Sequence, residues 1–248
     1  MNKSHLSYRT SNPALNSNTF KASNNSFLLD DKMTIQGTVD KTAISLVLLV
    51  IAAYYTYSAG MESMIMLGSI GGLILALITI FKKEWAPFTV PLYAILEGLA
   101  LGSISYLYNL QYEGIVLQAI SITVLVLFSL LFAYRTKIIK PTENFKLGLF
   151  AATGGIFLLY MVSFIMSFFG SGISLLSSNN SSMLSIGLSL GIVIIAALNL
   201  VIDFDFIEEG SEKGAPKYME WYAAFGLLVT LIWLYLELLR LLAKMKNR

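Results

Sequence analysis

The chain has 248 residues, a formal net charge of +2, 56% hydrophobic residues and only 13% charged ones, where an ordinary soluble domain carries about 25% charged residues. So few charges cannot wet the surface of a globule this size. That excludes a disordered protein, a nucleic-acid binder with a basic face and most soluble enzymes, and a mean hydropathy of +0.70 points to a membrane protein.

Residues 1–40 are rich in Asn, Ser and Lys and read as a polar tail, expected to be mobile. They contain no apolar core of a cleavable signal peptide, so targeting is expected from the first span. The bundle is expected over 41–248. No charge interrupts residues 42–61, 63–81, 114–134 or 147–202. A helix rises about 1.5 Å per residue, so roughly 20 apolar residues cross a hydrocarbon core of about 30 Å. The pattern predicts spans at 42–59, 63–81, 88–108, 114–134, 147–169, 183–206 and 219–243. The polar stretch from Gly170 to Ser182 divides the longest run. Gly68, Gly71 and Gly72 in the second span, and Gly154-Gly155 in the fifth, are expected to mark close helix contacts. Loops are expected at 82–87, at 135–146, with Arg135, Lys137, Lys140 and Lys146, and from Glu208 to Lys217.

Lysine and arginine favour the cytoplasmic side. They occupy the tail (Lys3, Arg9, Lys21, Lys32, Lys41) and the loops after spans two, four and six, and are missing from those after spans one, three and five. This alternation predicts a cytoplasmic N-terminus. Arg240, Lys244, Lys246 and Arg248 break it, because seven crossings place them outside. Either segment seven crosses shielded by the other helices, as its length favours, or it re-enters and leaves on one side, as its charges favour.

Acids inside a bilayer are costly and are functional candidates by position. Glu97 lies near the middle of span three, with no Lys or Arg in that segment. It either carries its proton or faces a water-filled cavity; the plain alternative is one hydrogen bond between helices. Asp203 and Asp205 close span six about 200° apart, so they cannot share a face, whereas Asn199 and Asp203 do. Asp203 is expected to face the bundle interior and Asp205 the interface or another helix. The plain alternative is that both cap the helix end at the headgroups. Glu208-Glu209 reads as a solvated loop. Glu237 and Arg240, three apart, read as a local ion pair with a snorkelling arginine. Thr230 lies two turns before Glu237. Tyr218, Trp221 and Tyr222 read as an interfacial belt.

There is no cysteine, and the single histidine, His5, sits in the tail, so no metal site or cofactor is expected. No catalytic motif stands out. An intramembrane aspartyl protease needs aspartates from two helices, and here both sit on one. The chain is not expected to be an enzyme.

Several strings carry a resemblance: Arg9–Asn16, Met33–Val39, Glu84–Pro87, Leu96–Gly98, Tyr134–Thr136, Asn199–Glu208, Gly214–Tyr222 and Leu234–Leu242. Through them the chain resembles the Bax inhibitor-1/YccA family, in a bacterial branch with a longer polar N-terminus. The resemblance implies an all-α bundle of seven helices with the last one central, in a bacterial inner (plasma) membrane. It also implies, for some members, a pH-sensitive calcium leak in which an aspartate near the end of helix six pairs with one in helix seven. The first falls on Asp203. The second falls on Thr230, a departure that leaves Glu97 or Glu237 as a substitute carboxylate. The family's second-helix arginine has no counterpart in 63–81. The expected site is therefore Asp203, Glu97, Glu237 and Asp205, supported by Asn199, Thr230 and Arg240. Two carboxylates sharing a proton would hold helices together, and losing it would add like charges and open a path. The expected partners are the lipid bilayer and calcium. The competing expectation is a non-transporting protein that modulates a membrane protease or stress response through its tail and basic loop.

Overall fold

The computed structural model describes residues 32–170 and 172–248. Most of the tail, the Arg9–Asn16 string, His5 and Ser171 lie outside them. Seven helices follow in order: α1 (Ile35–Ala59), α2 (Met64–Phe81), α3 (Ala86–Gln111), α4 (Ile115–Arg135), α5 (Glu143–Ser167), α6 (Met183–Glu212) and α7 (Met219–Lys246). All are long and apolar enough to cross a membrane. The protein is an all-α, seven-helix integral membrane protein.

Two boundaries move from the expected ones. Helix α1 starts at Ile35 because Thr34, in extended conformation, accepts a hydrogen bond from the Gly37 amide and caps the helix. The last residues assigned to the tail are therefore helical. Helix α6 runs on to Glu212, so Glu208 and Glu209 are helical and not a loop. Glu209 pairs with Lys213 one turn on, the kind of contact that extends a helix into water.

The described chain forms two compact units, residues 32–111 with 203–229, and residues 112–202 with 230–248. In the first unit the buried face of α1 is small and hydroxylated: Thr38, Thr42, Ser45, Leu49, Ala52 and Thr56. Thr42 and Ser45 return their hydroxyls to carbonyls one turn back, which removes their polar cost. Small residues let helices approach where lipid offers no hydrophobic drive. A Cβ on Gly102 of α3 would lie 2.0 Å from the Ala53 carbonyl oxygen, and one on Gly98 would lie 2.4 Å from that of Leu49. The Thr56 hydroxyl then reaches the Leu99 carbonyl at 3.0 Å. On α2, a Cβ at Gly68 would lie 2.4 Å from the Leu96 carbonyl oxygen. The expected close contact at Gly68, Gly71 and Gly72 is present.

In the second unit the expectation for Gly154-Gly155 fails. Nothing lies within 4 Å of a Cβ built on either. Helix α5 buries only Leu149 and exposes Phe157, Phe164 and Ile165. That surface suits lipid tails and not water.

Helix α7 is the most buried span, over 61% of its apolar window. It is one continuous helix of 28 residues, long enough at about 1.5 Å per residue to cross a bilayer. Its start is bonded to the segment leading into α1, Met33 N–H to the Ala215 carbonyl at 2.7 Å. Its end is bonded to the loops after α3 and α5, Lys246 to the Glu113 carbonyl at 2.6 Å and Lys244 to that of Leu175 at 2.7 Å. Segment seven is thus a single unbroken helix of spanning length. Arg240, Lys244 and Lys246 are all engaged by protein acceptors.

Candidate functional site: intramembrane carboxylates

In the first unit, Asp203 is 2% exposed on α6, and Asp205, on the opposite face, is half-buried. Asp203 thus faces the protein, and α6 continues past both acids to Glu212. Glu97 is half-buried on α3. A Cβ on Gly72 of α2 would meet its Oε1 at 2.4 Å, so Gly72 is what lets α2 close over this acid.

In the second unit, Glu237 is 2% exposed and Arg240 forms the expected ion pair with it at 2.9 Å. The pair is more than local. Tyr160 of α5 donates to Glu237 Oε1 at 2.6 Å, Trp233 donates to the same oxygen at 3.3 Å, and Arg240 also bonds the Tyr160 hydroxyl. The guanidinium lies 5.1 Å from the Tyr160 ring centre. Asn199 donates to Thr153 of α5 at 3.0 Å and to the Ile195 carbonyl at 2.8 Å. Thr230 is buried.

Other polar groups escape a sequence reading. Lys244 is fully buried and donates to the carbonyls of Leu175 and Ser185 and, at 2.8 Å, to the Ser189 hydroxyl. Glu220 is fully buried in the first turn of α7, and its Oε1 accepts from the Thr34 amide and hydroxyl. Tyr222 corrects the expected belt. It is fully buried, with Lys83 over its ring at 5.5 Å, while Tyr218 and Trp221 remain partly exposed. Among the described residues, no three acids or histidines gather as metal ligands.

A family model described as Bax inhibitor 1 like matches residues 12–247, nearly the whole chain. The chain belongs to this family. No curated protein and no solved structure matches it. Membership in the Bax inhibitor 1 like family agrees with the seven spans.

Proposed function

We propose that the chain is a cation leak, with calcium as the permeant ion, whose conductance is set by the charge on Asp203. Glu97 is the second titrating group of the same unit, and Asp205 stands next along α6. The observation that carries this reading is the burial of Asp203, 2% exposed in a membrane-spanning helix. An ionisable group there is expensive, and a chain that retains one has a use for it. With its proton, Asp203 is compatible with a desolvated helix face. Without it, the added charge favours an arrangement that water and a cation can reach.

Glu237 suits this task less. Tyr160, Trp233 and Arg240 converge on its carboxylate, which fits a brace better than a switch. In this reading the chain is a conduit and not an enzyme. It sits in a bacterial inner membrane with the start of α1 on the cytoplasmic side, as the cations of alternate loops favour. Calcium efflux from proteoliposomes tests the reading. Efflux above that of empty vesicles supports it, and no efflux at any pH overturns it.

A further inference from the structure

Two strings of the sequence have no part in the leak, Met33–Val39 and Gly214–Tyr222, and both fall in the first unit. The fold joins them. Lys32 and Pro216 form an antiparallel bridge, and Met33 N–H donates to the Ala215 carbonyl at 2.7 Å. Glu220 Oε1 accepts from the Thr34 amide at 3.0 Å and the Thr34 hydroxyl at 2.9 Å. That hydroxyl also accepts from the Gly37 amide at 2.9 Å, so one side chain both caps α1 and holds the start of α7. Gly37 is the notch that admits the acid, because a Cβ there would lie 2.1 Å from Oε1 and 2.4 Å from Oε2. Met33, Ala215 and Met219 bury the apolar side. Lys41 lies over the Trp221 ring at 5.7 Å.

Two local choices work against a tie built for strength alone. The second Glu220 oxygen, Oε2, is buried and has no hydrogen-bond partner among the described residues, so closing the contact leaves desolvation uncompensated. Glycine in the first turn of α1 weakens that helix. Local rules broken together mark places where a sequence serves something besides stability. We propose that residues 32–34 form a releasable strap, keyed by Glu220 in the Gly37 notch, that holds the first turns of α7. Closed, it keeps the leak low; released, it lets α7 shift and the leak rise. This regulatory role rests on the leak proposed above, whereas the strap itself does not.

The chain has no cysteine, so Lys32→Cys with Pro216→Cys supplies the only thiols. The full chain with this pair is placed in proteoliposomes, and both disulfide formation and calcium efflux are followed. Gly37→Ala should release the strap, slowing disulfide formation about tenfold for the loss of one hydrogen bond's worth of closure and raising efflux. Thr34→Val keeps the volume, removes the hydroxyl and should act in the same direction, which covers a Gly37→Ala chain that does not fold. Oxidising the pair should lower efflux several-fold, and reduction should restore it. Unchanged disulfide formation in both variants overturns the strap. Unchanged efflux on oxidation, in protein that leaks, overturns its regulatory role. If the parent chain shows no efflux, the leak reading fails and the regulatory role with it, and the disulfide rates still judge the strap.

Discussion

The hydroxyl of Tyr160 on α5 donates a 2.6 Å hydrogen bond to Oε1 of Glu237 on α7. Helix α5 buries only Leu149, so this contact, completed by Arg240, and the Asn199–Thr153 bond tie down a helix whose apolar surface otherwise suits lipid. Tyr160→Phe should therefore destabilise the protein by about 1.5–2 kcal/mol, the lower end of the worth of one bond to a charged acceptor. Glu237→Leu should cost more, up to about 3 kcal/mol, because it strands Arg240; the partial exposure of that side chain softens the penalty. Thermal unfolding in detergent gives both values. Equal, negligible shifts would contradict the brace.

Lys244 is buried, and among the described residues its ammonium donates to three oxygen acceptors, none of them a carboxylate. Lys244→Met keeps the length of the stem and leaves those acceptors unsatisfied. It should destabilise by about 1–3 kcal/mol and loosen the 174–176 turn against α7. Proteolysis of that loop should speed up in parallel with the fall in melting temperature.

The glycines separate into two classes with opposite expected effects. Gly102→Ala and Gly98→Ala drive a methyl into the α1 backbone and should cost several kcal/mol, with loss of the folded protein as one expected readout. Gly154→Ala and Gly155→Ala meet only open space and should be neutral, or stabilising by about 0.5–1 kcal/mol through helix propensity. Melting temperatures of the four variants give the comparison.

All seven spans were legible in the sequence, because charge-free runs of bilayer length leave little else to form. Which face of each span is buried was not legible. A membrane helix is apolar all round, so its periodicity does not separate lipid from protein. That is why Gly68 and Gly72 read correctly while Gly154 and Gly155, identical in residue type, did not. Asp203 and Asp205 could be told apart, since two residues on a helix fix opposite faces whatever surrounds them. Glu220 could not be picked out. Its partner Thr34 lies 186 positions away, and an acid in the first turn of a helix is ordinary. In the sequence Lys244 is only one of the C-terminal cations that break the charge alternation; only the tertiary fold brings Leu175 and Ser189 to it.

Calcium efflux from proteoliposomes, measured across a pH series for the parent chain and for Asp203→Asn, tests the central claim most directly. The account predicts that efflux from the parent rises as pH rises and Asp203 loses its proton. Asp203→Asn, which cannot gain that charge, should leak little and lose this pH dependence. A leak in Asp203→Asn with the parent's magnitude and pH profile would contradict it.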